Sequence, residues 1–320
     1  MKYIVTGGAG FIGSNLVDRL ISDGHEVIVI DNLSSGFLEY LLLNNDKLTF
    51  LPINIVNWQD LEREKEIFKN VDGVFHLAAQ SRIQPAIKDP SLAHNNNITG
   101  MFNVLELMRY CNIPRIVFSS SSSIYGLKNG SPQIETMEPD PLNPYAMSKY
   151  FGEKYIEIWC KLYGISGISL RYFNVWGPRE VVHLNDVAPV VGLFFRKILK
   201  ENEPPTIIGD GTQLRDMTHV SDVIEANILA MEKCDGFKGD IFNIGTTRNY
   251  SILQFADMVL DTLKLDRSYK KFIPARPAEL RETRANNTKA KMLLGWEPKI
   301  FLDEFIDQHR DYYLDKWKIK

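Results

Sequence analysis

Tyr3-Ile4-Val5-Thr6-Gly7-Gly8-Ala9-Gly10-Phe11-Ile12-Gly13 is the stretch on which the fold turns. A short β-branched run enters Gly-x-x-Gly-x-x-Gly and passes at once into helical spacing of apolar residues from Phe11 to Ser22. Gly7, Gly10 and Gly13 suit a tight turn, a close backbone approach to a pyrophosphate, and a helix N-terminus whose free N–H groups favour negative charge. The first gap is one residue wider than the usual dinucleotide fingerprint. A second apolar run, Glu26–Ile30, ends at Asp31-Asn32, 18 residues past Gly13. A carboxylate at that point accepts from both ribose hydroxyls of an adenosine and repels a 2′-phosphate. Asp31, with Asn32 beside it, therefore favours NAD over NADP.

Outward from this turn the same rhythm repeats. Apolar runs at Leu48–Leu51, Gly73–Leu77, Arg115–Phe118 and Gly167–Leu170 alternate with helical spacing at Asp60–Phe68, Leu92–Tyr110 and Asn143–Leu162. Strands apolar throughout are buried on both faces, so the expected fold class is α/β, a Rossmann-type doubly wound parallel sheet. After about residue 175 proline and glycine become denser, as in Gly177-Pro178, Pro204-Pro205 and Gly209-Asp210-Gly211. The division expected is an NAD-binding domain over 1–175, with returns near 218–246, and a smaller α/β substrate-binding lobe over 176–320.

Bulk properties exclude several classes. The 320 residues are 44% apolar and 24% charged, with a net charge of -3, which gives no electrostatic reason to expect nucleic acid or an anionic membrane. Three scattered cysteines suit a reducing compartment and no metal site. No apolar run approaches the ~18 residues of a membrane helix. A cytoplasmic protein is expected.

The chemistry is carried by Pro144-Tyr145-Ala146-Met147-Ser148-Lys149, preceded by a serine run ending in Ile124-Tyr125-Gly126. A tyrosine becomes a base near pH 7 only if its pKa falls by about three units, roughly 4 kcal/mol. Lys149 lies one helical turn beyond Tyr145, and an oxidised nicotinamide would add a second positive charge. Ser121 follows a strand at the carboxyl edge of the sheet, where its hydroxyl could bridge a substrate oxygen and the tyrosine.

With these residues in place the chain resembles the extended short-chain dehydrogenases/reductases, and within them the nucleotide-sugar epimerases and dehydratases, above all the UDP-hexose 4-epimerases. The likeness runs from Val5–Gly13 through Asp31–Gly36, His76–Gln80, Leu170–Arg179 and Gly209–Asp216 to Leu294–Pro298. It implies NAD contacts from Gly7, Gly10, Phe11, Ile12, Gly13, Asp31, Asn32, Asn54, Ile55, Leu77, Ala78, Ala79, Asn96, Tyr145, Lys149 and Phe173. Asn54 stands where the family usually has an aspartate. Ser121, Tyr145 and Lys149 are implied as catalytic. Ser122 and Ser123 occupy positions where dehydratases carry Asp-Glu and decarboxylases carry a glutamate at the second. Elimination of water needs such an acid/base pair, and hydroxyls titrate too high for it.

The resemblance further implies that a UDP-sugar is held by Ser121, Ser122, Ser123, Tyr145, Asn174, Val187, Arg215, Arg276, Glu279 and Thr283. Arg215 and Arg276 would clamp the diphosphate, and Glu279 the uridine ribose. Thr283 stands where strictly non-acetylated enzymes have tyrosine, which leaves room for a 2-N-acetyl group. The implied reaction oxidises C4 while Tyr145 takes the hydroxyl proton. The 4-keto sugar then turns, and hydride returns to the opposite face. The alternatives are another NAD(P)-dependent nucleotide-sugar enzyme (a uronic acid epimerase, a reductase or a dehydratase) and a non-catalytic nucleotide-binding sensor. In this family the helices around Met101–Met108 and Ile156–Cys160 form a dimer seam, so a homodimer is expected. Phe194, Phe195, Trp159 and Trp296 are read as core, His76 as support for a strand end, and Lys316, Lys318 and Lys320 as a solvated tail.

Overall fold

The computed structural model describes residues 1–180, 189–275, 280–317 and 319. Its strands are β1 (Lys2–Thr6), β2 (Glu26–Ile30), β3 (Leu48–Leu51), β4 (Gly73–His76), β5 (Arg115–Ser121), β6 (Ser166–Tyr172), β7 (Val175–Trp176), β8 (Thr206–Ile208), β9 (Leu214–Asp216), β10 (Thr218–His219), β11 (Lys238–Ile244), β12 (Asn249–Ser251), β13 (Lys271–Ile273) and β14 (Glu282–Thr283). The helices are α1 (Phe11–Ser22), α2 (Trp58–Arg63), α3 (Ile83–Lys88), α4 (Pro90–Ala93), α5 (Gly100–Cys111), α6 (Pro144–Tyr163), α7 (Val190–Glu201), α8 (Val220–Glu232), α9 (Ile252–Thr262) and α10 (Leu302–Trp317).

Seven strands form one parallel sheet in the order β11-β6-β5-β4-β1-β2-β3. Strand order reverses between β1 and β4, and ligands of such sheets sit in the crevice beyond the carboxyl ends of those strands. Alternate residues feed the two faces: Val5, Val29, Phe75 and Val117 pack with α1 and α8, while Ile4, Ile28, Val74 and Ile116 pack with α5 and α6. A third core joins Trp176, Phe194, Phe195, Phe255, Leu302 and Tyr313 beyond the sheet. Trp296 does not belong to that outer core. It is fully buried in the α1/α8 layer, and its indole N–H donates to the Asp222 carbonyl at 2.8 Å. Among the described residues no helix is long and apolar enough to cross a membrane.

Three segments depart from the sequence pattern. The helix expected over 60–68 ends at Arg63, and tighter turns (Phe68 N–H to Lys65 C=O, 3.2 Å) carry Phe68 into the core. The helix expected over 92–110 is α4, a π-helical turn His94–Thr99 and then α5. Helix α3 was not expected because Ile83 and Ile87 are exposed and leave no apolar period to read.

Candidate active site

The glycine turn closes because nothing larger fits. A Cβ on Gly13 would lie 2.1 Å from the Gly7 carbonyl oxygen, and Gly7 has φ +71° with the Ala78 main chain 2.7 Å from where its Cβ would be. At Gly10, by contrast, an added Cβ would meet only the Gly7 carbonyl, at 3.2 Å. Gly10 precedes α1 and no side chain caps that helix, so the turn presents uncapped N–H groups at the positive end of the helix dipole. Asp31 is buried beside it and accepts from Ala9 N–H at 3.0 Å and Leu33 N–H at 2.8 Å. Burial raises its pKa, and those two donors work against the rise. Each carboxylate oxygen retains a lone pair for a hydroxyl. An open backbone cradle, an uncapped helix start and a half-satisfied buried carboxylate are what a dinucleotide requires.

The neighbouring loops complete this edge. Leu77 and Ala78 follow β4, tied to Thr6 by Leu77 N–H to its carbonyl (3.1 Å) and Ala78 N–H to its hydroxyl (3.2 Å), and Ala79 continues the loop. His76 is buried with Nδ1 2.7 Å from Thr6 Oγ1, and burial lowers its pKa to about 3. It stays neutral and braces the strand end. Asn54 accepts Val56 N–H at 3.1 Å, which leaves its amide nitrogen available, and Ile55 is buried against Gly100. Asn32 is exposed at the end of β2. The ring of Phe173 is fully buried, 6.2 Å from that of Tyr125, so its main chain is the part that can meet a ligand.

Asn96 and Asn97 part company. The Asn96 amide donates to the Leu92 carbonyl of its own turn at 3.0 Å. Buried Asn97 accepts Gln80 N–H (2.7 Å) and donates to Gln80 C=O (3.0 Å) and Ser148 Oγ (2.8 Å). The asparagine joining the loop after β4 to α6 is therefore Asn97, one position from the expected residue. The wider π turn sets that phase.

Helix α6 starts at Pro144 under an Asn143 cap and carries Tyr145 and Lys149 on one face. Lys149 is buried, with its ammonium donating to the Ser119 carbonyl at 2.7 Å and lying 5.9 Å from the Tyr145 ring centre. Burial brings it down to about 7, and Glu153 pulls the other way. Ser121 ends β5, and its oxygen accepts from Ser123 N–H (3.2 Å) and Ser123 Oγ (2.9 Å); Ser122 and Ser123 open the next 3₁₀ turn. The Tyr145 phenol is raised by burial, and interactions with the Ser121 hydroxyl and Arg82 lower it. The sequence led us to expect Lys149 in the lowering role. In the structure its ammonium is engaged by Ser119, and it is Arg82 that acts on the phenol.

Behind the site Glu153 and Arg171 form a buried two-pronged pair, Nε to Oε1 and Nη2 to Oε2, both 2.8 Å. Ser120 Oγ donates to the same Oε1 at 2.6 Å, and the Arg171 guanidinium lies 4.7 Å over the Tyr125 ring. The sequence gave no sign of this pair.

On the substrate side, Asn174 has φ +30° and donates to the Asp216 carbonyl (2.7 Å) and Thr283 Oγ1 (3.3 Å). Thr283 is buried on β14, paired with Arg215 of β9. One Arg215 nitrogen donates to the Leu214 and Leu280 carbonyls, 2.9 and 2.8 Å. Val187, Arg276 and Glu279 lie outside the described residues.

A Rossmann sheet with Ser121, Tyr145 and Lys149 around one crevice defines the short-chain dehydrogenase/reductase class. A family model described as the NAD dependent epimerase/dehydratase family matches residues 3–245. The chain belongs to that family, and NAD is its cofactor. It is 35% identical over 319 residues to the UDP-glucose 4-epimerase of Mycolicibacterium smegmatis, covering 99% of each chain. The UDP-glucose 4-epimerase of Thermotoga maritima, solved with UDP-glucose, superposes with a TM-score of 0.91 at 37% identity, covering 99% of this chain and 100% of that one. The UDP-N-acetylglucosamine 4-epimerase of Methanobrevibacter ruminantium, solved with UDP-N-acetylmuramic acid, gives 0.90 at 32% identity and 98% coverage of both.

Proposed function

We propose that this protein is a UDP-sugar 4-epimerase. The observation that carries the reading is the meeting of Ser121, Tyr145 and Lys149 at the carboxyl edge of the sheet, with serines instead of carboxylates at 122 and 123. NAD, held by the glycine turn, Asp31 and the loops after β3 and β4, supplies reversible hydride transfer at C4 when bound. Tyr145 takes the proton of the 4-hydroxyl and returns it, and Ser121 orients that oxygen. Lys149 anchors the α6 turn to Ser119 and adds positive charge. Segment 1–175 with the return of α8 and β11 carries the cofactor end, and the lobe from 176 onward carries the UDP end, where Asn174, Val187, Arg215, Arg276 and Glu279 are assigned.

The test is purified protein with a panel of nucleotide-sugars and chromatography of the products. Interconversion of C4 epimers with no net NADH absorbance is expected. A dehydrated, decarboxylated or net reduced product refutes the reading.

For the sugar, we assign Thr283 as the residue that admits a 2-N-acetyl group, so both UDP-GlcNAc/UDP-GalNAc and UDP-glucose/UDP-galactose are taken as substrates. The relative from Methanobrevibacter ruminantium supports this. Thr283→Tyr is expected to lower kcat/KM on the acetylated pair by about 10–100-fold, the scale of excluding a small group from a pocket. Turnover on the non-acetylated pair should fall much less; equal losses on both would remove the assignment.

A homodimer is also proposed. Helices α5 and α6 expose Phe102, Tyr110, Phe151, Ile158, Leu162 and Tyr163, an apolar stripe unusual for a free surface. Light scattering should give twice the mass of the chain, and Phe151→Glu with Leu162→Glu should give monomer.

A further inference from the structure

Arg82 has no role in the reading above, which treats Tyr145 as the base and on which the following rests. It is the N-cap residue of α3, and α3 packs against the catalytic helix α6. Its main-chain N–H donates to Gln80 Oε1 at 2.9 Å. Gln80 is held by Asn97, which donates to Ser148 Oγ at 2.8 Å, and Ser148 Oγ donates to the Tyr145 carbonyl at 2.8 Å. A continuous chain of hydrogen bonds thus fixes the Arg82 loop against the helical turn that carries the phenol. The guanidinium itself has no hydrogen-bond or ion-pair partner among the described residues.

The charged groups around Tyr145 leave that cation uncompensated. On α6, Lys149 points its ammonium at Ser119 and Phe118, with Glu153 and His76 further on; Glu153 is committed to Arg171 of β6. From β5 and the turn after it only serine hydroxyls face the phenol. On α5, Glu106 and Arg109 pair with each other at an exposed position, and His94 of the π turn is exposed. On β11, Asp240 pairs with Lys289. Glu180, which faces Arg82, is fully buried and accepts Gly177 N–H (2.7 Å) and Gly192 N–H (3.0 Å). Burial lifts Glu180 to about 8, so at neutral pH it is largely uncharged and does not neutralise the arginine.

We propose that Arg82 is the resident cation that favours the phenolate of Tyr145, acting on the base from the opposite side to Lys149. A guanidinium remains charged at every working pH, whereas a buried ammonium does not. Division of labour follows: Lys149 fixes the helical turn and tunes with pH, and Arg82 supplies constant charge.

The experiment is the pH profile of kcat/KM on whichever UDP-sugar the wild-type holoenzyme turns over, for wild type, Arg82→Gln and Arg82→Lys. Alongside it, the Tyr145 ring is titrated by NMR of labelled tyrosine, assigned by its loss in Tyr145→Phe. Arg82→Gln should raise the acidic-limb pKa, and the ring titration with it, by about one unit, a tenfold loss of rate below the pKa with the alkaline plateau kept. Arg82→Lys should stay near wild type on both. An Arg82→Gln profile that drops in parallel at all pH values, or an Arg82→Lys profile displaced as far as Arg82→Gln, overturns the proposal. So does a KM increase confined to an acidic sugar such as UDP-glucuronate with an unmoved pKa. Should Arg82→Gln not fold, Arg82→Lys decides alone: an acidic-limb pKa unlike wild type refutes. Failure of the epimerase reading would show separately, as wild-type protein without turnover whose Tyr145 ring still titrates.

Discussion

Tyr145→Phe is expected to lower kcat by about 10²–10⁴-fold, the range for removing a positioned acid/base group, or roughly 3–5 kcal/mol of barrier. The substitution deletes one oxygen from a part-buried ring and leaves α6, the Asn143 cap and the Lys149–Ser119 bond untouched. Retained NAD and an unchanged unfolding midpoint should accompany the loss. The pH dependence separates loss of the base from loss of its tuning. Because burial holds the phenol above its ordinary value, wild-type activity should rise with pH as the phenolate forms. Lys149, brought down to about 7, loses its charge over the same range, so the two groups titrate as a coupled pair. Tyr145→Phe should show no rising limb, and alkaline buffer should not rescue it. A variant that keeps more than a tenth of wild-type turnover would remove Tyr145 from the proton step.

The parts of this site that are local in sequence were legible there. Helix α1 was read to its end residues because a β-branched run, three spaced glycines and a helical period coincide within one stretch. Tyr145 and Lys149 were legible because a spacing of four on a helix is a statement about one face. What depends on the phase of an irregular turn was not. Asn95, Asn96 and Asn97 are alike in type, and only the π turn determines which one reaches Gln80 and Ser148. Contacts between distant segments were equally hidden. Arg82 is an ordinary loop residue until α3 is laid against α6, and Thr283 read as an open space until the Asn174 amide was found on its hydroxyl. Trp296 was read as core from its type, but its seat beside α1 and α8 requires a late return of the chain to the first layer.

Glu153→Ala is expected to destabilise the protein by about 3–5 kcal/mol, because it leaves the Arg171 guanidinium buried without its anion. Both side chains are about 1% exposed, so no solvent screening softens the loss. Arg171 Nη1 already lacks a partner, and removing Glu153 would free the two nitrogens that now have one. Ser120 Oγ would lose its acceptor as well. Chemical unfolding at fixed protein and NAD concentration measures the effect. The double variant Glu153→Met/Arg171→Met should recover most of it, since an apolar pair requires no counter-charge. Equal destabilisation of the single and double variants would mean that packing, and not charge, makes the site sensitive. Function should change in a direction that stability alone does not give. Glu153 is the group that holds Lys149 up against burial, so without it the lysine falls below about 7 and is neutral over more of the working range. In the folded fraction the activity at neutral pH should therefore drop, and the optimum should move and narrow. A purely structural role would scale the whole profile by the folded fraction and leave its shape as in wild type. The buried pair thus links the catalytic helix to β6, keeping α6 in place while maintaining the charge of its lysine.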